Sequence, residues 1–354
     1  GATSDHGFPM PYPFNQRQNE GGATVTADNR TLFYTVCEYN ADGYYNCDIC
    51  TSEKEKDEWS QIRNAGKGIN TPGNWESQPS VTSDGNTLYF ISDRPGGLGG
   101  YDIYFSRRQT DGSWGEAQNL GKPVNTPGNE KSPFIHTDSQ TLYFSSDGHP
   151  GMGGYDIFLS RMQEGAWKAP VNIGYPINST DDDVGFFVST DGRHGYFASN
   201  KLQGEGGWDL YYFDLYDEAR PQKVLLLKGT VRDEAADTLV SARVTLKNAK
   251  TRTIREIPVD RHTGEYIAVV PARHDYILTV KKEGFAYASH YIEATDTTAG
   301  GAAEVDVEIK PIAVGESYKL NDIRFATDSA NLSPASRMVI EEFAEFLTEN
   351  PGVR

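Results

Sequence analysis

Four acidic residues return at one place in a repeated pattern: Glu20, Glu76, Glu130 and Asp183, set 56, 54 and 53 residues apart. Carboxylates gathered around a narrow opening repel one another unless each is satisfied locally or all share a cation, and Ca²⁺ suits flexible oxygen ligands. The three cysteines all fall between Cys37 and Cys50. Cys37 and Cys47 flank one loop between neighbouring strands, which predicts a cross-hairpin disulfide and an oxidising compartment. Cys50 falls on the opposite strand face and is expected as a buried free thiol. Reading Cys47-Asp48-Ile49-Cys50 as a redox or zinc half-site is set aside, because it lies in a strand and lacks a helix or a second ligand pair. His262-Thr263-Gly264-Glu265 matches the H-x-x-E spacing of zinc ligands, but it sits in a strand-turn-strand setting without a third ligand and reads as turn chemistry. No G-x-S-x-G stretch is present and the seven histidines are scattered, so catalysis is not expected.

The elements that position these residues follow from an internal repeat. Gly99-Gly100-Tyr101-Asp102-Ile103-Tyr104 returns as Gly153-Gly154-Tyr155-Asp156-Ile157-Phe158, as Gly206-Gly207-Trp208-Asp209-Leu210-Tyr211, and in altered form as Asn46-Cys47-Asp48-Ile49-Cys50. A period near 54 residues in a strand-rich chain predicts propeller blades of about four strands. Turn aspartates at Asp28, Asp84, Asp138 and Asp191, outer-strand tryptophans at Trp59, Trp114 and Trp167, and Asn-x-Gly at Asn64, Asn119 and Asn172 keep the same phase. The fourth copy lacks an outer strand, while Pro13-Phe14-Asn15 aligns with Pro123-Val124-Asn125. The expectation is a mainly β chain opening on a four-blade propeller over residues 1–217, with the first residues completing the last blade. The four acidic positions then converge toward one end of the axis, as a cation ring or as stitching between blades.

Past Arg220-Pro221 the glycine-rich loops stop. Short alternating segments at 224–231, 242–246, 254–259, 266–270, 276–280 and 305–309 predict a small β-sandwich over residues 222–312. Residues 316–354 change character again, with a strand over 320–325 and a helix opened by Ser333-Pro334 and carrying an apolar face of Val339, Ile340, Phe343, Phe346 and Leu347.

Net charge is −17 without a basic stripe, which excludes a nucleic-acid binder. No apolar run is long enough to span a bilayer as a helix, and Gly1-Ala2-Thr3-Ser4 is not a leader, so the chain reads as mature or trimmed.

The spacing Gly229-Thr-Val-Arg-Asp, Ala242-Arg-Val-Thr-Leu, Asp260 and Gly264-Glu-Tyr resembles the carboxypeptidase regulatory-like domain, a transthyretin-like sandwich. The run Asn321-Asp-Ile-Arg-Phe-Ala-Thr-Asp-Ser-Ala-Asn-Leu-Ser-Pro, followed by Phe-Leu-Thr-Glu-Asn-Pro, resembles the opening of an OmpA-like peptidoglycan-binding domain, an α/β fold of which only the first strand and helix are present. In that resemblance Thr327 and Asp328 stand at the rim of the peptidoglycan pocket. The module order resembles the periplasmic OmpA-family proteins of Bacteroidetes, among them the PorE-type components of the type IX secretion machinery. The resemblance implies a periplasmic, outer-membrane-associated protein with a lipid anchor. Its implied partners are peptidoglycan, through a complete OmpA-like domain, and secretion proteins. The expected function is therefore a non-enzymatic scaffold, with a propeller that captures a glycan, peptide or cation as the alternative.

Overall fold

The structure, a computed structural model, describes residues 8–16, 19–39, 43–55, 58–199, 209–260, 262–293, 302–318, 320–323 and 330–353. The chain divides into two compact units, Gly1–Gln222 and Lys223–Arg354.

The first unit is a propeller-like set of four antiparallel sheets, each laid down in sequence order from its innermost strand outward. The first holds β1 (Asn19–Val25), β2 (Thr31–Tyr39), β3 (Tyr45–Glu55), β4 (Glu58–Trp59) and β5 (Arg63–Asn64). The second holds β6 (Glu76–Val81), β7 (Thr87–Ser92), β8 (Asp102–Arg107) and β9 (Gln118–Asn119). The third holds β10 (Glu130–Ile135), β11 (Thr141–Ser146), β12 (Asp156–Gln163), β13 (Ala166–Trp167) and β14 (Val171–Asn172). The fourth holds, among the described residues, β15 (Phe187–Val188), β16 (His194–Ser199) and β17 (Asp209–Asp214). In the second sheet the outer strand lies at β9, four residues past Trp114, whose backbone forms only a lone bridge to Arg108.

Two polar locks recur, each in three of the four repeats. The turn aspartates accept from a hydroxyl two residues upstream: Thr26 on Asp28 at 2.5 Å, Thr82 on Asp84 at 2.6 Å and Ser189 on Asp191 at 2.5 Å. A buried asparagine then clasps the third strand at both backbone groups. Asn125 accepts from Ile103 N at 3.0 Å and donates to Ile103 O at 2.9 Å. Asn70 does this at Ile49, and Asn178 at Ile157. The Asn-x-Gly asparagines Asn64, Asn119 and Asn172 accept from the clasp and from the backbone N–H two residues on. No backbone polar group at these crossings is left to desolvation.

Neighbouring sheets join through the Gly-Gly-Tyr-Asp phrase. Gly100 N donates to Gly128 O at 3.0 Å and Glu130 N donates to Tyr101 O at 2.7 Å; one sheet on, Gly154 N meets Asp181 O at 3.2 Å and Asp183 N meets Tyr155 O at 2.7 Å. A Cβ at Gly99 would sit 1.9 Å from Gly128 O, so the approach requires glycine there. Apolar clusters fill the gaps behind these seams: Phe33, Ile49, Val81 and Phe90, then Ile103, Ile135 and Phe144, then Ile157, Phe186 and Val188.

Among the described residues the amino-terminal segment 8–16 adds no strand to the fourth sheet, contrary to the expectation from the repeat. Phe14 packs on Tyr34 at 5.5 Å and on Trp59 at 5.7 Å between ring centroids, both in the first sheet, while Asn15 N and Gln16 N bond to Glu20. The apolar floor of Leu32, Tyr34 and Cys50 needs a cover, and the Glu20 carboxylate holds this segment against it.

In the second unit, two sheets share one apolar core. β18 (Val224–Asp233) pairs with β19 (Thr238–Leu239) and β22 (Glu265–Pro271), and in parallel with β25 (Ala302–Glu304) and β26 (Val307–Ile309); β20 (Arg243–Asn248) lies between β21 (Ile254–Ile257) and β23 (Tyr276–Lys281), which pairs with β24 (Ala288–Ile292). Leu225, Leu227, Val244, Leu278 and Val280 sit fully buried between them.

The helix α1 (Pro334–Glu349) is capped by Ser333, as its sequence requires. Residues 320–323 are not a strand. Nor is the helix left with a bare apolar face. Met338 and Val339 pack on Ile277, Phe343 and Phe346 pack on Tyr287, and Lys247, Arg252 and Lys281 pair with Glu342, Glu341 and Glu349.

Replacing Asn125 by alanine strands the Ile103 N–H, while Ile103 O keeps the bond from Leu120 N at 2.9 Å. The expected cost is about 1–3 kcal/mol of unfolding free energy, measured by denaturant titration. A loss under about 0.5 kcal/mol, the scale of an ordinary surface substitution, contradicts the clasp.

Candidate functional site

The four repeated acidic residues lead the inner strands, and each turns back on the loop before it. Glu130 accepts from Thr126 N at 3.0 Å, Thr126 Oγ1 at 2.7 Å and Ser146 Oγ at 2.7 Å. Glu76 accepts from Thr71 N, Thr71 Oγ1 and Ser92 Oγ, and pairs with Arg94 at 3.0 Å. Asp183 accepts from Ser179 N at 2.6 Å, and Glu20 from Asn15 N at 2.8 Å. Among the described residues no group of three or more His, Cys, Asp or Glu side chains is placed to hold a metal ion. Of the two readings of Glu20, Glu76, Glu130 and Asp183, a cation ring or local stitching, these bonds are of the second kind: loop amides and hydroxyls occupy the carboxylate oxygens. Burial pushes the Glu76 and Glu130 carboxyls above the usual carboxylate range, against the lowering effect of their hydrogen bonds.

Two residues past each acid the backbone takes a φ between 49° and 72°, at Gly22, Gln78, Ser132 and Gly185, and in the first three sheets this marks a bulge in the inner strand. Backbone N–H groups there find partners on the preceding sheet: Gln78 N on Thr35 Oγ1 at 3.0 Å, and Ser132 N on Gln78 Oε1 at 2.6 Å. Sequence reading missed these bulges. Only the glycines at two of the four positions signalled them.

A cleft of about 350 Å³ opens beside the first two inner strands, walled by Trp75, Ile91 and Tyr101, with Gln78, Asn19 and Lys131 supplying polar groups. Trp75 is fixed by its indole N–H on Ser77 Oγ at 3.0 Å and its backbone N–H on Asp93 at 2.8 Å. Tyr45 meets Trp75 at 6.2 Å and Tyr39 meets Tyr45 at 5.0 Å, which extends the aromatic run outward. The Lys131 ammonium lies 5.5 Å from the Tyr101 ring and 4.5 Å from the Tyr155 ring, an arrangement that holds a cation over two π faces.

Cys37 also lines the cleft and is joined to Cys47 by a disulfide, the two being opposite each other in the β2–β3 register. The bridge ties together the hairpin that carries Tyr39 and Tyr45. Cys50 is a buried free thiol, pushed up to about 12 by burial and then by Asp48, Glu38 and Glu20. In the second unit, Asp260 accepts from His262 N and Thr263 N, so the H-x-x-E spacing is turn chemistry there. Thr327 and Asp328 lie outside the described residues. Among the described residues no helix is long and apolar enough to cross a membrane.

No protein-family model matches the chain, and no curated protein matches it. Solved structures do. A puromycin-hydrolyzing peptidase of Mycobacterium tuberculosis is 12% identical over 78% of this chain and 36% of its own, with a TM-score of 0.34. The endo-arabinase from Bacteroides thetaiotaomicron is 17% identical over 59% of this chain and 79% of its own, at 0.37. The catalytic domain of a Coprinopsis cinerea GH62 α-L-arabinofuranosidase is 11% identical over 80% of this chain and 92% of its own, at 0.38. The chain thus spans about a third of the length of the peptidase it matches. These neighbours are hydrolytic enzymes, and the expectation of a non-enzymatic scaffold is corrected on that finding. At such TM-scores and identities no substrate or catalytic residue carries over to this chain.

Two outcomes follow from the site. Reducing the Cys37–Cys47 bridge is expected to cost about 3 kcal/mol, the loop-entropy scale for so short a closure, in denaturant titrations with and without reductant; coincident curves contradict it. Glu130→Gln is expected to cost about 1–3 kcal/mol near neutral pH. Because the folded protein holds the Glu130 proton more tightly than the unfolded chain, this group's stabilisation is fully present below the unfolded carboxylate pKa and is lost as pH rises through the folded one. The gap between wild type and variant should therefore be wider near about pH 4 than near about pH 8. A gap that narrows on acidification contradicts the raised value.

Proposed function

We propose that the chain works in the cell envelope and that its propeller recognises a saccharide in the cleft at Trp75 and Tyr101. One observation carries this: an aromatic wall, its Trp75 ring held by a hydrogen bond, faces amide and hydroxyl groups and a lysine within a space of about 350 Å³. Sugar rings offer apolar faces to aromatic side chains and hydroxyls to amides, and sites of this size are lined in that way. The ammonium of Lys131 favours a saccharide that carries an acidic group.

The envelope setting rests on the Cys37–Cys47 bridge, which suits an oxidising compartment, and on the resemblance of the module order to OmpA-family proteins of Bacteroidetes. In that reading the core between the two sheets of the second unit is that of a carboxypeptidase regulatory-like sandwich. In the same reading the capped helix α1 belongs to an OmpA-like segment, and the resemblance names peptidoglycan and type IX secretion proteins as partners.

Calorimetric titration with neutral and uronate-bearing oligosaccharides tests the cleft. Binding of the acidic series is expected, weakened about tenfold or more by Trp75→Ala, since a lost aromatic stacking contact is worth about 1–3 kcal/mol. New reducing ends in the same mixtures read turnover. No binding to either series, or binding indifferent to Trp75→Ala, overturns the assignment.

A further inference from the structure

The internal repeat shows what covers each sheet, and it shows two halves of one contact left bare. The third strand of each blade carries an aliphatic residue at the same phase: Ile49, Ile103, Ile157 and Leu210. The first three are 0%, 0% and 1% exposed, because the following sheet lies on them; Leu210 is 75% exposed. The inner strand carries the complementary residue: Val25, Val81, Ile135 and Val188. The last three are 7%, 3% and 4% exposed, packed on the preceding sheet; Val25 is 41% exposed.

The buried pairs are thus Ile49 with Val81, Ile103 with Ile135, and Ile157 with Val188, each pair inside one apolar cluster. The members without a counterpart are Leu210 at one end and Val25 at the other. Around Leu210 the fourth sheet also shows Phe187, Tyr196 and Tyr212 across three strands, the first pair stacked at 4.8 Å and the second tilted at 6.0 Å, with Tyr212 67% exposed. Apolar patches of this kind mark association surfaces.

We propose that the fourth sheet of one copy docks on the first sheet of a second copy, Leu210 against Val25, repeating the contact already made three times within the chain. The interface is head-to-tail, and two copies meeting at both ends close a ring of eight sheets. That number lies at the upper end of the range of known propellers, about four to eight. A rotation that fails to close would instead give open chains.

Size-exclusion chromatography with light scattering on the full chain tests this. Wild type is expected at twice the chain mass, and Leu210→Glu and Val25→Glu each at the single mass, with circular dichroism showing that both remain folded. The decisive sample is the mixture of the two variants. One retains the Val25 end and the other the Leu210 end, so mixing restores a two-chain species. Wild type at single mass up to its highest soluble concentration overturns the proposal, as do variants that keep the doubled mass, or a mixture that stays at single mass. Masses that keep growing with concentration overturn the closed ring. If one variant unfolds, its counterpart at the other end still reads the same contact.

Discussion

The propeller unit depends on the close approach of one backbone to another. At the seam between the second and third sheets, Gly100 donates to Gly128 and Glu130 donates to Tyr101, and the Asn129 side-chain oxygen accepts from Tyr101 N between them at 3.1 Å. A Cβ at Gly99, or at Gly153 one sheet on, would overlap main-chain atoms of the facing loop. Everything else at the joint follows from that distance. The aspartate of the phrase turns inward to its own loop, as Asp102 does toward Gly99 N, and the acid leading the next inner strand is drawn under its own loop amides. Once those carboxylates are so occupied, the axial end is left to aromatic and amide groups.

The repeat made much of this readable. Glycine pairs, turn aspartates and tryptophans at fixed phase announce blades because each is demanded by backbone geometry that recurs. The disulfide was readable for the same reason, since Cys37 and Cys47 replace residues at known positions in a known hairpin. Other features were not. The clasping asparagines Asn70, Asn125 and Asn178 looked like ordinary loop residues, since an asparagine in a turn gives no sign that it will reach another strand's backbone. The bulges at Gln78 and Ser132 place non-glycine residues at positive φ, which no local propensity announces. Phe14 meets Tyr34 just as Val124 shares a cluster with Phe144, so the alignment carries the contact with the following sheet and does not specify a preceding one. The placement of α1 against β23 and β24 was missed because its partners, Ile277 and Tyr287, lie about 50 to 60 residues away in sequence.

A substitution between repeats shows how the same space can be filled by different chemistry. In the second sheet the Arg94 guanidinium lies over Phe90 and Tyr104 and donates to Ile69 O. In the third, His149, one residue past the position that aligns with Arg94, packs between Phe144 and Phe158 and bonds to Val124 O. Arginine can also reach Glu76, whereas Glu130 has only hydroxyl and amide partners. A planar nitrogen group between two rings is the requirement, and the charge is incidental to it.

The asparagine clasps have a consequence for how such a chain can grow. Every clasp closes within its own stretch of about 54 residues, from Asn70 back to Ile49 or from Asn125 back to Ile103. The joints between stretches repeat the same main-chain bonds and the same apolar pairing from copy to copy. A segment of this length can therefore be duplicated or deleted as a cassette: its internal bonds travel with it, and its edges fit any neighbour. Blade number in this architecture is open to change by recombination in register, while point substitution acts on what the blades hold.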